Sequence, residues 1–204
     1  MKILILILIL TFFSFLSPVF ADPVVGREAA AGYFSGVVKE TAVQSSRAHY
    51  MVLHIGKLVN TTAWNWGDKS REKDAGSASI GVTYRVGDWR GLTDYLIRLD
   101  FNEYDIKGQK PQKLSFLPMI MFPDAASEFP LYFGVGAGPG VFFKQVGGEA
   151  SLTFDYQMVV GMRFFDVFES VGFSVESGLK NHIQIGDDGQ VNSAFFTGGA
   201  VFTF

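Results

Sequence analysis

Long stretches of alternating apolar and polar residues constrain this chain more than any other feature. The clearest stretch, residues 151–165, carries apolar side chains at its even positions, namely Leu152, Phe154, Tyr156, Met158, Val160, Met162 and Phe164. Its odd positions include Asp155, Gln157 and Arg163. Successive side chains of a β-strand point to opposite faces. The pattern therefore predicts one long strand with a charge-free face and a charged face.

Similar patterns recur along the chain and predict eight strands. They span residues 47–59, 77–86, 94–104, 113–122, 130–144, 151–165, 171–185 and 193–204. The facing of the first strand is left open. The facing of 113–122 is also open, because it is apolar on both sides. Pro118 lies within that strand, and a proline inside a closed sheet predicts a β-bulge.

The charge-free faces indicate a membrane environment. A Lys or Arg facing lipid costs ~2–4 kcal/mol at mid-bilayer, so the charged faces are expected to line a lumen. Strands cross a bilayer only as a closed barrel, because every backbone polar group needs a partner. We predict an all-β fold, a single antiparallel transmembrane β-barrel of eight strands over residues 47–204. A soluble β-sandwich also has alternating strands, but its strands usually have about 5–6 residues. The stretches 130–144, 151–165 and 171–185 are much longer, which favours the barrel.

Residues 1–21 have the organisation of a secretory signal peptide. Lys2 precedes an apolar run over residues 3–16, and Ala21 is a small residue before the expected cleavage site. This order of basic, apolar and small residues is typical of exported proteins. A retained transmembrane anchor is the alternative, but such a span needs about 20 residues, and Pro18 interrupts the segment.

The segment 22–46 fits no strand well. Ala30, Tyr33, Phe34 and Val37 follow helical spacing, which predicts a short amphipathic helix. A ninth and tenth strand is the alternative. The whole chain has no cysteine, so neither a disulfide framework nor lipoprotein attachment is expected.

The end of the chain resembles the closing strand of bacterial outer-membrane β-barrels. Residues 193–204 alternate and finish on Phe202, Thr203 and Phe204. The resemblance implies that Phe202 and Phe204 form the signal read by the barrel-assembly machinery. It also implies a location in the outer membrane of a Gram-negative bacterium.

Charged residues of both signs fall on the predicted inward faces. The expected lumen network consists of Arg85, Arg98, Asp100, Asp155, Arg163, Glu176 and Lys180. An eight-stranded barrel is just wide enough for its side chains to fill it. A self-neutralising set of ion pairs is therefore expected, and a narrow ion path or catalytic set is the alternative.

Two further groups of residues suggest binding. A glycine stripe, Gly134, Gly136, Gly138 and Gly140, lines one strand, where it permits tight curvature or forms a slot for an acyl chain. The longest predicted loop, 60–76, is polar and carries Trp64 and Trp66, which are candidates for a surface contact or for interface anchoring. Loops 105–112, 145–149 and 186–191 are expected at the same, outer end.

Candidate chemistry is confined to the outer rim. His182, Ser193 and Glu176 are the residue types of a hydrolase triad, which requires a histidine within hydrogen-bond reach of the serine. No histidine has metal-ligand spacing with another His or a Cys, so no metal and no cofactor is expected. The formal net charge of −3 gives no reason to expect a nucleic-acid partner.

The C-terminal third resembles small eight-stranded outer-membrane proteins, including the lipid A 3-O-deacylase family. The similar features are the run from Phe133 to Gly138, the pair Gly178-Leu179 followed by His182, and the closing strand. That family has serine and asparagine shortly after its histidine. Here Gln184 stands at the nucleophile position, and a glutamine cannot form an acyl-enzyme. The resemblance therefore implies the scaffold and speaks against the activity.

These observations predict a small monomeric outer-membrane barrel with a structural or surface-interaction role and no large pore. Its expected partners are outer-membrane lipids or lipopolysaccharide, the assembly machinery and a surface ligand. The alternatives are a lipid A-modifying hydrolase and a narrow conduit for small solutes or ions.

Overall fold

The computed structural model describes residues 49–67 and 71–204. The predicted signal peptide, 1–21, and the segment 22–46 lie outside the described residues. In the part of the chain that is described, no helix is long and apolar enough to cross a membrane.

The described residues form one antiparallel sheet that closes on itself. Its strands are β1 (Tyr50–Trp64), β2 (Arg71–Lys73), β3 (Gly76–Asp88), β4 (Asp94–Tyr104), β5 (Gln112–Phe122), β6 (Leu131–Lys144), β7 (Leu152–Phe168), β8 (Val171–Gln184) and β9 (Gln190–Thr203). β1 pairs with both β2 and β3, the strands from β3 to β9 pair in sequence order, and β9 pairs with β1. Eight long strands therefore make a closed barrel, and the short β2 flanks β1. The predicted eight-stranded all-β fold is confirmed.

Alternation separates the two surfaces of the barrel. On β7, Met158 is 57% exposed and Val160 is 54% exposed, whereas Gln157 is 2% exposed. The same contrast recurs on the other barrel strands, with large apolar side chains outside and polar ones inside. This is the inverse of a soluble protein and is typical of a transmembrane barrel, whose outer face meets lipid.

A β-bulge in β1 changes which residues of that strand face the lumen. The pairing of β1 with β9 shifts between Val59 and Thr62, and Asn60 has a φ of 51°. Leu58 is buried below the bulge, and Thr61 and Ala63 are buried above it. Because of the extra residue, even-numbered positions face the lumen before the bulge and odd-numbered positions face it after the bulge.

The predicted loop 60–76 is partly strand, which corrects the sequence analysis. β1 continues to Trp64, and β2 (Arg71–Lys73) pairs with its outer end. The bulge allows this extension because, beyond the extra residue, the side chains of Thr61 and Ala63 face the lumen again. The connection between the strands is therefore shorter than its polar composition suggested.

The expected bulge at Pro118 does not occur. The register between β5 and β6 is the same at Ser115, paired with Gly140, as at Met119, paired with Gly136. Between these pairs the ladder is interrupted where Pro118 and Pro139 lie in the two strands. Proline lacks an amide hydrogen, so one proline in each strand leaves a local gap in the hydrogen bonding and needs no extra residue.

Candidate functional site

The lumen is the candidate site because nearly all buried charge lies there. Five cations and four anions are buried: Arg85, Arg98, Lys113, Arg163 and Lys180, with Asp94, Asp100, Asp155 and Glu176. All seven residues of the predicted lumen network are in this set. Each comes from a strand position whose neighbours in sequence face outward, so the alternation itself delivers the charges to the interior.

The first group of charges lies at the end of the barrel formed by the β3–β4, β5–β6 and β7–β8 connections. The opposite end is the one that the sequence analysis predicts to face outward, and we call it the outer end. The Arg85 Nε donates to Asp94 Oδ1 at 2.8 Å, and the same guanidinium pairs with Asp88 at the rim. Arg163 lies 3.9 Å from the second Asp94 oxygen and donates to the Tyr50 hydroxyl. Its guanidinium also stacks 4.7 Å from the Phe165 ring centre. Planar stacking and hydrogen bonding together satisfy the buried cation.

Arg98 is the central cation of the lumen and is fully buried. It pairs with Glu176, and its Nε donates to Thr83 Oγ1 at 2.7 Å. The Tyr132 hydroxyl donates to the other Glu176 oxygen at 2.5 Å. The Gln157 amide oxygen accepts from Arg98 Nη1 at 2.5 Å when its nitrogen faces Asp100. The charge is thus surrounded by acceptors, as a buried ion requires.

A second central pair joins Lys180 and Asp100. The Lys180 ammonium is 2.8 Å from Asp100 Oδ2 and donates to Ser79 Oγ at 2.7 Å. His54 Nε2 lies 3.5 Å from the other oxygen of Asp100. The pair therefore sits beside the Arg98 group, so the middle of the lumen is one connected network.

Lys113 and Asp155 form the third group, nearest the outer end. The Lys113 ammonium donates to Asp155 Oδ1 and to His182 Nδ1, both at 2.9 Å. Ser115 and Thr153 also donate to Asp155. An ammonium can only donate, so His182 Nδ1 is an acceptor, and the proton of the neutral imidazole is on Nε2.

An aromatic cluster closes the outer mouth. The Trp66 ring lies between 5.2 and 5.5 Å, centre to centre, from the rings of Tyr104, Phe142 and His182. The indole nitrogen donates to Gln145 Oε1 at 3.0 Å. We call Trp66, Tyr104, Phe142 and His182 the aromatic cap. It places a large apolar body over the ion pairs.

The segment that carries Trp66 is held across the mouth. Gly67 has a φ of 74°, which glycine adopts without steric cost, and its amide donates to Glu149 Oε1 at 2.8 Å. Glu149 belongs to the loop after β6, on the opposite part of the rim. Residues 65–67 therefore turn inward across the mouth.

The two tryptophans proposed for a surface contact have different positions. Trp66 is 2% exposed, so it is not available to a surface partner. Trp64 faces outward on β1, and the Arg71 guanidinium lies 4.4 Å from its ring centre. The polar composition around both residues concealed the inward turn at Trp66.

The structure does not bring the three candidate catalytic residues together. Ser193 Oγ donates to Thr61 Oγ1 at 3.0 Å. Glu176 is bound to Arg98 and Tyr132, and His182 to Lys113. None of the three hydrogen bonds to another of them, and a serine nucleophile needs its base within hydrogen-bond reach.

The glycine stripe faces the lumen, but the space beside it is filled. A Cβ on Gly136 would lie 2.5 Å from Met119 Cγ. One on Gly140 would lie 2.8 Å from Asp155 Oδ1. The stripe therefore makes room for side chains of neighbouring strands, and no open acyl slot exists along these positions.

A small cavity of about 10 Å³ lies in the outer half of the lumen, with room for a single water. Its lining includes Asn102, Lys113, Asp155, Lys180 and His182. Among the described residues, no group of three His, Asp or Glu has the arrangement of a metal site. The chemistry available here is ion pairing and hydrogen bonding.

Sequence reasoning missed two of the buried charges, Asp94 and Lys113. Asp94 shares the parity of Arg98 and Asp100 on β4, so the alternation could have identified it. Lys113 is the second residue of β5, whose facing stayed open because both of its faces are apolar and Pro118 interrupts it. Its inward direction follows only from the register with β4.

Comparisons with known proteins bear on the fold. No protein-family model and no curated protein sequence matches this chain. The structure of neisserial surface protein A is 13% identical, covers 77% of this chain and 97% of that one, and has a TM-score of 0.51.

Two other solved structures are also similar. The outer membrane enzyme PagL is 13% identical over 73% of this chain and 97% of its own, with a TM-score of 0.48. Ail, the attachment invasion locus protein of Yersinia pestis, is 15% identical over 75% and 98%, with a TM-score of 0.44. The strand order together with the similarity to neisserial surface protein A establishes that the chain has the fold of the small eight-stranded outer-membrane β-barrels.

Proposed function

We propose that this protein is a non-conducting barrel of a Gram-negative outer membrane, with a structural or surface-interaction role. The filled lumen carries the proposal. Three connected groups of ion pairs and the aromatic cap occupy the interior from the turn end to the outer mouth. The predominantly apolar outer face of the barrel supports the membrane location, and residues 1–21 support export.

The lumen contacts favour a structural interior over a conduit. Arg98 and Glu176 are desolvated and bonded to each other, so an ion passing through would have to separate them. Breaking a buried pair costs about 3–5 kcal/mol. The cavity beside Lys113 and His182, of about 10 Å³, is too small to hold a solute.

Conduction is tested by inserting the purified protein into planar bilayers. We expect no discrete current steps for the native chain. A Trp66→Ala variant, which removes the cap and keeps the ion pairs, is expected to stay silent as well. Reproducible steps from the native chain would refute the closed lumen, and steps from the variant alone would assign the closure to the cap.

The position of His182 favours a non-enzymatic role. Its Nδ1 accepts from Lys113, and its ring is enclosed by Trp66, Tyr104 and Phe142. A general base needs a free nitrogen directed at the nucleophile. Mass spectra of lipid A from cells with and without the overexpressed protein are expected to be the same. An acyl chain lost only when His182 is intact would establish the deacylase alternative.

The loop 105–111 is the part of the outer surface best placed for a partner. Its exposed residues include Asp105, Lys107 and Lys110, and the isolated bridge between Ile106 and Gln109 gives it a fixed shape. Replacing 107–110 by a Gly-Ser linker separates the two roles. Loss of ligand or cell-surface binding, with the barrel still folded, would indicate surface interaction. The structural role would be indicated if binding were unchanged and if the linker variant, expressed in a strain that lacks the native protein, restored resistance of the envelope to detergent.

A further inference from the structure

The lipid-facing surface of the barrel carries basic side chains in one place. Lys57 on β1 and Arg71 and Lys73 on β2 are all exposed. The outward positions of β3 to β9, every residue of which is described, hold no lysine or arginine. We call Lys57, Arg71 and Lys73, with Trp64, the basic edge.

Lys57 stands among apolar side chains that face lipid. Its neighbours on the same face of β1 are Ile55 and Val59, and its register partners are Ala78 on β3 and Phe196 on β9. Ile55 and Phe196 are 63% and 58% exposed. A lysine on such a face is costly at mid-bilayer and nearly free at the interface, where a headgroup can meet it.

The residues above Lys57 place it near the end of the apolar band. Asn60 at the bulge is exposed and is the next polar residue of β1 toward the outer end, followed by Thr62, which pairs with Asn192 on β9. A lysine stem can extend along apolar surface while its ammonium reaches the polar boundary. The charge of Lys57 is therefore expected at the level of outer-leaflet headgroups.

The two cations of β2 lie directly above Lys57 on the same side of β1. Lys73 pairs with Thr62 and Arg71 with Trp64. These residues share the outward face, since the intervening Ala63 is buried. Arg71 stacks on Trp64, a residue type that prefers the boundary between hydrocarbon and water. The basic edge thus spans the headgroup region.

Two acids of this rim accept hydrogen bonds from groups outside the basic edge. Glu72 Oε1 accepts from the Lys107 amide at 3.0 Å, and Glu103 Oε2 accepts from Gln112 Nε2 at 3.1 Å. Asp74 follows Lys73 in an exposed turn. Across residues 49–67 and 71–204, neither Lys57 nor Lys73 forms an ion pair with a carboxylate. Their positive charge is available to a ligand.

We propose that the basic edge binds the anionic phosphate headgroup of an outer-leaflet lipid, whose acyl chains lie on the apolar face beside Ile55 and Phe196. The positive charges favour a phosphate ligand. The exposed apolar face beside them favours a phosphate that is carried by a lipid, because the acyl chains can pack there. The proposal rests on the membrane placement proposed above and is independent of the role of the protein.

The test measures lipid binding to the full-length protein in detergent by native mass spectrometry. The probes are a lipid A with two phosphates and the same acylated disaccharide without phosphates. The test variant is Lys57→Gln with Lys73→Gln. The control, Lys110→Gln with Lys144→Gln, removes the same charge from the outer end away from the basic edge.

We expect the test variant to bind the bisphosphorylated lipid about 25-fold more weakly, since each cation near an anionic surface contributes about fivefold. The control variant and the phosphate-free lipid are expected to show no change. Equal weakening in both variants, or equal binding of both lipids, would overturn the proposal. If the test variant does not fold, Arg71→Gln with Lys73→Gln, both on the short β2, decides the question. The bilayer and lipid A experiments described above test only the proposed role of the protein, whereas native mass spectrometry tests only lipid binding. Failure of one proposal can therefore be distinguished from failure of the other.

Discussion

At the residue scale, Gly81 shows how tightly the lumen is packed. A Cβ at this position on β3 would lie 2.5 Å from His54 Cε1 and 2.6 Å from the Leu99 carbonyl oxygen, and it would also contact Asp100 Oδ1. The absence of a side chain therefore lets the His54 ring and the Asp100 carboxylate approach each other between β1 and β4. The central network depends on this close approach.

We predict that Gly81→Ala destabilises the barrel by about 1–3 kcal/mol, because overpacking a filled interior forces neighbours to shift. Gly87→Ala is the matched control on the same strand, since a Cβ there meets no atom within 4 Å. Urea unfolding in detergent micelles gives both free energies of unfolding. Equal effects of the two substitutions would show that the Gly81 site can relax.

At the element scale, residues 65–67 after β1 cover the outer mouth of the barrel. Trp66 is buried among aromatic rings, while Trp64 lies outward beside Arg71. Trp66→Ala is expected to cost about 3–5 kcal/mol of unfolding free energy, as for other buried aromatic residues. Trp64→Ala removes the same indole from a half-exposed position and is expected to cost less. A fluorescence quencher in water should reach Trp64 and not Trp66, and similar quenching of both would contradict the cap.

Elements with a regular pattern were predictable from the sequence, and irregular ones were not. The bounds of β4, Asp94–Tyr104, coincide with the predicted strand 94–104, because apolar residues alternate with the inward residues Arg98, Asp100 and Asn102 along this strand. The extension of β1 past Asn60 was not predictable, since the bulge reverses the parity on which the prediction depends. Trp66 was placed in an exposed loop because its contacts to Tyr104 and Phe142 join residues far apart in the sequence.

At the scale of the whole molecule, the apolar outer face predicts where charge is tolerated. Met158 lies near the middle of β7, and Phe168 ends the same strand. In lipid vesicles, Met158→Arg is expected to cost about 2–4 kcal/mol and Phe168→Arg about 0–1 kcal/mol, because the cost of a cation falls toward the interface. Unfolding titrations in vesicles measure both. Equal costs at the two positions would contradict a membrane-spanning orientation of β7.

The sequence predicted which charges enter the lumen better than how they pair. Parity alone directs Arg98 and Glu176 inward, on strands β4 and β8 that are not neighbours. Their pairing across the barrel depends on the stagger of all the strands between them, and this stagger is set by the register of the whole sheet. A single-strand pattern contains no information about it.

The pairing of β1 with β9 has a consequence for how the chain reaches its native state. Tyr50 lies opposite Thr203, so the seam joins the two most distant strands of the described chain. Such contacts raise the contact order, and chains rich in them fold slowly. Until β9 docks, both margins of the growing sheet carry unsatisfied amides and carbonyls, which invite pairing with other chains. The seam is therefore the point at which a chaperone or insertion catalyst would have the most influence on the yield of folded protein.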